Sequence, residues 1–173
     1  LWDQGSVVYT QGDDIFLRDG SQGTQMTIGN VEPFVVAEER ISLLSPTFSP
    51  DGSQVAYIAF KVGVGPDTQI GADLRIAGSA GADRIVRKSA ANGEFFWTPR
   101  WTPDGEMLIY AHQVQLDGGR GALFMVERID LASSQIEELV RDARDPDLAP
   151  DGASLVVVSN PLVDGSVAIV DLA

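Results

Sequence analysis

Three aspartates, Asp51, Asp104 and Asp151, stand in the same tripeptide, Pro-Asp-Gly, and are the first residues whose type and spacing could do chemistry. Carboxylates that meet in space can bind a divalent cation. A turn explains them without a ligand, because Pro fixes φ, Asp accepts hydrogen bonds from backbone N–H groups and Gly tolerates a positive φ. We interpret the tripeptides as structural turns and predict no metal there. The turn residues are Pro50, Asp51, Gly52, Pro103, Asp104, Gly105, Pro150, Asp151 and Gly152.

A calcium loop is a second metal site to consider, because Asp145, Asp147 and Asp151 have spacings similar to those of its ligands. Such a loop needs a glutamate at its twelfth position, where this chain has Val156. The only histidine, His112, would have carboxylates alone as partners in any other metal site. We therefore predict no metal ligand in this chain.

A serine nucleophile is the third candidate chemistry. The segment Ala77-Gly78-Ser79-Ala80-Gly81 is one substitution away from Gly-x-Ser-x-Gly, the strand-to-helix turn that exposes a catalytic serine. Here the segment falls between two predicted strands, and the one histidine lies elsewhere in the repeat, so the helix and the general base are both missing. The glycine-rich segments 63–65 and 118–121 lack the Lys-Ser/Thr of a phosphate-binding loop. We predict no catalytic residue and no cofactor.

The composition excludes several classes of function. The chain has 173 residues, 44% of them hydrophobic, and a net charge of −13 from 25 acidic and 12 basic side chains. That balance would repel a nucleic acid, and no apolar run approaches the roughly 20 residues that cross a bilayer. With no cysteine there is no disulfide or thiolate site. We expect one domain, and, because the sequence starts at Leu1 without a signal-peptide pattern, we expect a preceding segment to have been removed.

The same tripeptides mark an internal repeat, which is the element that must position any site. Successive aspartates are 53 and 47 residues apart, and each is followed at the same distance by a short apolar run. Runs of this length and β-branched or aromatic character are typical of strands buried on both faces. A weaker fourth copy precedes them. The runs are Val7-Val8-Tyr9, Val55-Ala56-Tyr57, Leu108-Ile109-Tyr110 and Leu155-Val156-Val157.

Each repeat predicts a four-stranded antiparallel meander, of the kind that forms one blade of a β-propeller. We place the units at about 1–44, 45–97, 98–144 and 145–173, with the first lacking its inner strand and the last its outer strand. The fold class is all-β.

Two segments are ambiguous. Residues 134–144 carry a helix capping box and apolar residues at helical spacing, but the repeat favours an outer strand near 135–140, which we adopt. Residues 32–44 mix helix-prone and strand-prone residues, and we predict irregular structure there.

The pattern Pro-x-aromatic-Ser/Thr-Pro-Asp-Gly, followed by an apolar strand that ends in Tyr, resembles the WD-repeat-like β-propeller repeat of the TolB-like superfamily. The match is strong at 46–57 and 99–110, while the third copy departs from it with Leu148, Ala149 and Val157. The resemblance implies a propeller, and such proteins commonly have more than four blades. Because an open ring leaves exposed edges, we expect a larger or partner-completed propeller. A self-closed four-blade ring and a strand exchange at the seam remain as alternatives.

The longest predicted connections, 61–71 and 112–121, lie on one face of the propeller, together with the connections between units. Loops on a rigid scaffold are where binding residues usually lie. We predict a non-catalytic scaffold that binds a protein partner through this face. The resemblance further implies an extracytoplasmic location, in the periplasm or at the cell surface. The candidate partner-binding residues are Lys61, Asp67, Gln69, Phe95, Phe96, His112, Gln115, Asp117 and Arg120. The alternative is the substrate-gating propeller of a larger hydrolase of the prolyl-oligopeptidase kind.

Overall fold

The computed structural model describes residues 6–11, 14–19, 22–25, 39–63, 70–78, 83–90, 93–116, 121–159 and 165–172. These ranges form strands joined by turns. The strands are β1 (Ser6–Gln11), β2 (Asp14–Asp19), β3 (Gln22–Gln25), β4 (Glu39–Phe48), β5 (Gln54–Gly63), β6 (Ile70–Gly78), β7 (Asp83–Arg87), β8 (Glu94–Trp101), β9 (Met107–Gln115), β10 (Ala122–Asp130), β11 (Ile136–Arg141), β12 (Ala143–Leu148), β13 (Ser154–Ser159) and β14 (Ser166–Asp171).

The strands form four antiparallel meanders in chain order. Sheet 1 is β1-β2-β3, sheet 2 is β4-β5-β6-β7, sheet 3 is β8-β9-β10-β11 and sheet 4 is β12-β13-β14. The predicted all-β class is confirmed, with two four-stranded units between two three-stranded ones. The strand chosen over a helix near 135–140 is also confirmed, because β11 pairs with β10 from Ile129↔Ile136 to Met125↔Arg141.

The core consists of three apolar clusters, each between two successive sheets. Alternate residues of β5 point to opposite faces of sheet 2, so Tyr57 packs with Val8 of sheet 1 while Ile58 packs with Phe96 of sheet 3. A third cluster joins Ile109 of sheet 3 to sheet 4. Because both faces of β5 and β9 are buried, these two strands are apolar over several successive residues, which is why their runs stand out in the sequence.

A β-bulge interrupts the first strand of sheets 2, 3 and 4 at the residue before the first proline of the motif. Ser45, Thr98 and Asp145 have φ values of 52°, 45° and 52°, and the strand register shifts beside each of them. Thr98 is the most strained of the three, since a β-branched residue rarely adopts this conformation.

The first strands extend upstream of these bulges, so sheets 2, 3 and 4 begin at Glu39, Glu94 and Ala143, earlier than the unit starts near 45, 98 and 145 that the motif suggested. The irregular structure predicted over 32–44 is wrong for 39–44, which belongs to β4, and residues 32–38 lie outside the described ranges.

The Pro-Asp-Gly tripeptides lie in the turns that join the first and second strands of sheets 2, 3 and 4. In the first turn, Asp51 Oδ1 accepts hydrogen bonds from Ser49 Oγ (2.6 Å) and from the backbone N–H of Ser53 (3.0 Å). Gly52 has φ 73°, which a side chain would disfavour. The carboxylates are thus used within their own turns.

We expect this turn to make stability depend on acid pH. Hydrogen bonds from the side chain of Ser49 and from Ser53 lower the pKa of Asp51 from 3.8 to about 2. A carboxyl with a lowered folded-state pKa contributes stability above its unfolded-state pKa, and that contribution disappears as the pH falls through about 2. An NMR titration of the Asp51 carboxyl should find this low pKa, and Ser49→Ala should raise it. An unchanged pKa in Ser49→Ala would contradict the assigned cause.

Candidate functional site

We use the term loop face for the end of sheets 2 and 3 at which β5 ends at Gly63 and β9 ends at Gln115. Strand pairing continues as far as Val62↔Ile70 in sheet 2 and Gln115↔Ala122 in sheet 3. Lys61, His112 and Gln115 therefore lie in strands, not in the long connections expected from the sequence. The candidates Asp67, Gln69, Asp117 and Arg120 lie outside the described residues.

The structure places two of the candidate residues in the interior. Phe96 is 0% exposed and packs in the core between sheets 2 and 3, and His112 is 7% exposed. Neither can be an exposed anchor for a partner, because the neighbouring sheet covers both. Phe95 is half-buried and Gln115 is exposed, so these two remain accessible at the loop face.

His112 belongs to a buried polar cluster between sheets 2 and 3. Its Nδ1 lies 3.0 Å from Oε1 of Glu127, and its Nε2 lies 3.0 Å from Oε1 of Glu94. The second contact has ion-pair distance without the alignment of a hydrogen bond. Glu127 Oε2 accepts a hydrogen bond from the Tyr110 hydroxyl at 2.9 Å.

Arg87 on β7 of sheet 2 extends this cluster across the interface. Its Nη2 lies 3.6 Å from Oε2 of Glu127, and its guanidinium carbon lies 5.1 Å from the centre of the Phe96 ring. This cation–π contact adds to the charge attraction. The cluster therefore joins two sheets by one carboxylate that contacts a phenol, an imidazole and a guanidinium.

Opposing effects set the proton affinities in this cluster. Burial by itself raises the pKa of Glu127. This effect is outweighed by the hydrogen bond and charge of His112, by the hydrogen bond from the Tyr110 hydroxyl and by the charge of Arg87, so the pKa is lowered. Burial, followed by the negative charge of Glu127, raises the pKa of Tyr110. Glu127 is thus held as an acceptor and Tyr110 as a donor. With a carboxylate within 3.0 Å of each ring nitrogen, His112 links strands β8, β9 and β10 of sheet 3.

Sheet 2 has a related but different arrangement on the face toward sheet 1. The hydroxyl of Tyr57, the equivalent of Tyr110, donates to Asp83 Oδ1 at 2.9 Å, and Arg75 forms a bidentate ion pair with the same carboxylate. Burial and then the charge of Asp83 raise the pKa of Tyr57. The repeat thus keeps a buried tyrosine and changes the charged residues around it.

Asp73 holds the connection between sheets 2 and 3 against sheet 2. It is 2% exposed, its Oδ2 lies 2.8 Å from Lys61 Nζ, and its Oδ1 accepts hydrogen bonds from the backbone N–H (2.9 Å) and Oγ (3.1 Å) of Ser89. A Cβ atom on Gly71 would lie 2.5 Å from Ser89 Oγ, so the connection packs closely here. Lys61 is therefore an ion-pair partner within the fold.

Sequence reasoning missed Glu94, Glu127, Arg87 and Asp73 as important residues. One signal was available: Glu127 follows Phe124-Met125-Val126 inside a predicted buried strand. A carboxylate at such a position needs a buried partner.

An aromatic layer lies near the loop face between sheets 2 and 3. Phe60, Phe95 and Trp97 are stacked, with ring centres 5.8–6.0 Å apart and interplanar angles of 19–28°. All three are half-buried, and the indole Nε1 of Trp97 donates to Gln113 Oε1 at 3.2 Å. Rings packed in this way form a rigid apolar surface with one polar edge.

Two pockets lie between successive sheets. The first, with a volume of about 380 Å³, lies between the turns of sheets 2 and 3, beside Pro50 and Pro103. The second, about 260 Å³, lies between sheets 3 and 4, with walls that include Trp97, Gln113 and Arg144.

Among the described residues, no group of three or more His, Asp or Glu side chains is arranged to hold a metal ion. In the same ranges we find no helix with the length and apolarity to cross a membrane.

Comparisons with known proteins identify the fold. No protein-family model and no curated protein matches the sequence. Solved structures do match. The β-propeller domain of the trilobed protease from Pyrococcus furiosus, which has an open velcro topology, is 19% identical with a TM-score of 0.54, over 76% of this chain and 39% of that chain.

Two further structures are puromycin hydrolases. The puromycin-hydrolyzing peptidase of Mycobacterium tuberculosis is 21% identical with a TM-score of 0.60, over 96% of this chain and 27% of that chain. A puromycin hydrolase S511A mutant complexed with PGG is 17% identical with a TM-score of 0.65, over 95% of this chain and 27% of that chain. This chain spans less than half the length of each of these three structures. The fold of this chain is that of a β-propeller, as its repeat predicts.

Proposed function

We propose that the chain is part of a non-catalytic β-propeller scaffold that binds protein partners and has no active site of its own. The observation that carries this proposal is an exposed face of sheet 4. Val156 is 41% exposed, whereas Ala56 and Ile109, at the same position in sheets 2 and 3, are 0% exposed. On the neighbouring strand Ile169 is 74% exposed, and its equivalent Ile76 is 1% exposed.

The pattern on this face is that of an interface between sheets. Val167 and Ile169, both 74% exposed, alternate along β14 and share a face with Val156, since Ile169 pairs with Val156. Apolar side chains in this arrangement are stabilised by a covering surface. Sheets 2 and 3 are covered by the next sheet at the same position, so we propose that a further blade, of the same protein or of a partner, covers sheet 4.

The loop face is the second proposed contact, with Phe95 and Gln115 as the accessible ones among the candidate residues that the structure describes. Phe95 is an aromatic side chain on a rigid strand, which is the kind of anchor that contributes most to protein interfaces. We still propose that polar residues surround this anchor, namely Asp67, Gln69, Asp117 and Arg120. The resemblance to TolB-like proteins further supports an extracytoplasmic location as part of this proposal.

Site-specific photo-crosslinking in the native source tests the scaffold. A photoreactive phenylalanine analogue at position 167 reports on sheet 4, one at position 115 reports on the loop face, and one at exposed Glu138 on β11 is the control. We expect crosslinks from 167 to a further blade of the same protein or to a partner, crosslinks from 115 to another polypeptide, and few from 138. The proposal is wrong if positions 167 and 115 yield no more crosslinked protein than position 138.

The alternative is a propeller that gates the substrate of a hydrolase. It is favoured by the match to two puromycin hydrolases. This chain covers 27% of the length of each of them. A fluorophosphonate probe, which labels activated serines, distinguishes the two functions when applied to the full-length protein. Labelling together with peptide hydrolysis would favour the gate, and crosslinked partners without labelling would favour the scaffold.

A further inference from the structure

The pocket between sheets 3 and 4 occupies the place that the aromatic layer fills between sheets 2 and 3. Successive repeats are offset by 53 and 47 residues, so Gln113 in sheet 3 is equivalent to Phe60 in sheet 2. By the second offset, Arg144 in sheet 4 is equivalent to Trp97. The bulges at Thr98 and Asp145 confirm this alignment, because each follows directly after the aligned residue.

The exchange of rings for polar side chains explains why a pocket exists at this interface. Asp142 is the equivalent of Phe95, so all three ring positions of the aromatic layer carry polar residues between sheets 3 and 4. At the interface between sheets 3 and 4, where these positions carry no rings, a pocket of about 260 Å³ is found. Trp97 and Phe124 still provide aromatic walls.

The volume limits what the pocket can hold. Its 260 Å³ exceed the roughly 150 Å³ cavity that accommodates benzene in an engineered protein. They fall below the roughly 300 Å³ at which pockets for drug-sized ligands begin. One six-membered ring with a small substituent therefore fits.

The polar residues of the pocket define the substituent. The Oε1 of Gln113 already accepts from Trp97, which leaves its Nε2 as a donor. Arg144 provides further donors, and Asp145, whose Oδ2 lies 3.4 Å from Arg144 Nε, provides an acceptor. A hydroxyl group can use both kinds of partner, because it donates and accepts.

We propose that the pocket between sheets 3 and 4 binds a single phenolic ring, stacked against Trp97, with its hydroxyl near Gln113, Arg144 and Asp145. The ring belongs either to a tyrosine side chain of another polypeptide or to a free phenol. This binding site goes beyond the proposed scaffold function and does not require it.

The test uses the full chain and the indole N–H resonance of Trp97 in two-dimensional NMR. We expect p-cresol to shift this resonance with a dissociation constant on the order of 1 mM, and 4-methylcyclohexanol, which lacks a flat ring, to shift it much less. The indole N–H of Trp101, which donates to Thr47 O at 3.2 Å between sheets 2 and 3, is the internal control and should not move. Tighter binding of N-acetyl-tyrosinamide than of p-cresol would identify a protein side chain as the natural ligand, and equal or weaker binding a free phenol.

Two variants locate the binding. Gln113→Phe restores the ring found at Phe60 and fills the pocket, so the effect of p-cresol on Trp97 should disappear, while Gln135→Phe, the same change at an exposed turn residue, should leave it intact. Arg144→Ala keeps the pocket but removes a hydrogen-bond donor, so it should weaken the binding of p-cresol about fivefold. If p-cresol does not shift Trp97, or binds equally well to Gln113→Phe, the proposed site does not exist. Because these measurements involve no partner protein, they can fail while the crosslinking succeeds.

Discussion

Replacing Glu127 by alanine is expected to lower the free energy of unfolding by about 3 to 5 kcal/mol, the usual cost of removing one member of a buried charged pair. Glu127 is 8% exposed, and its two oxygens contact His112 Nδ1 at 3.0 Å and the Tyr110 hydroxyl at 2.9 Å. Without this carboxylate, Arg87 keeps its charge in the interface without its partner. Urea denaturation of the full chain measures the loss.

The matched control is Glu137→Ala, which removes a glutamate from the ion pair with Arg128 at 2.6 Å on the outer strand of the same sheet. Glu137 is 61% exposed, so this variant should lose no more than about 1 kcal/mol. Glu127→Gln keeps the shape of the side chain, so its loss of unfolding free energy should lie between those of Glu127→Ala and Glu137→Ala. Equal losses for Glu127→Ala and Glu137→Ala would show that the buried cluster contributes nothing beyond a surface pair.

The turns and the second strands were predictable because local chemistry determines them. Pro, Asp and Gly each impose a backbone preference within three residues, and the hydrogen bonds of Asp51 stay within its own turn. The strand that follows is buried on both faces, so its apolar run is visible without knowledge of its neighbours. Segment 134–144 is an exception, because there the repeat, and not the local helical pattern, correctly indicated the strand β11.

The buried polar cluster was not predictable, because its residues meet only through strand register and sheet packing. Glu94, His112 and Glu127 lie on three different strands, and Arg87 reaches them from the neighbouring sheet. None of these contacts recurs in the repeat, since sheet 2 has Ala59 at the position of His112. By strand register, Arg75 takes the place of Glu127, because it pairs with Tyr57 as Glu127 pairs with Tyr110. The histidine was assigned to a loop for a related reason: the sequence does not show how far β9 continues after its apolar run.

The accessible surface was predicted only in part. Phe95 and Phe96 are adjacent and chemically identical, and the sequence treated them alike, but successive residues of a strand point to opposite faces. The packing of sheet 2 against sheet 3 buries Phe96 and leaves Phe95 in the aromatic layer. Likewise, the pocket between sheets 3 and 4 depends on which equivalent positions change from aromatic to polar, and this becomes visible only when the repeats are aligned by their bulges.

The second large effect is expected at Asp73, whose replacement by alanine should lower the free energy of unfolding by about 3 kcal/mol. The backbone N–H of Ser89 loses its acceptor, and Lys61, 20% exposed, loses its ion-pair partner. Because Lys61 can turn toward solvent, the cost should be smaller than for Glu127→Ala. The exposed ion pair of Arg100 with Asp147, which is 74% exposed, offers the control, and Asp147→Ala should cost at most about 1 kcal/mol.

The position of Asp73 predicts a local effect as well as a global one. Ser89 lies in the connection from sheet 2 to sheet 3, so its amide should exchange its hydrogen with solvent much faster in Asp73→Ala, while amides in β9 stay protected. Asp73→Asn retains an acceptor for Ser89 and should preserve most of this protection. Gly71→Ala, which would place a Cβ atom 2.5 Å from Ser89 Oγ, should open the same connection by steric contact. Unchanged exchange at Ser89 in both Asp73→Ala and Gly71→Ala would mean that this connection is held by other contacts, and that Asp73 does not fix the loop face between the two sheets.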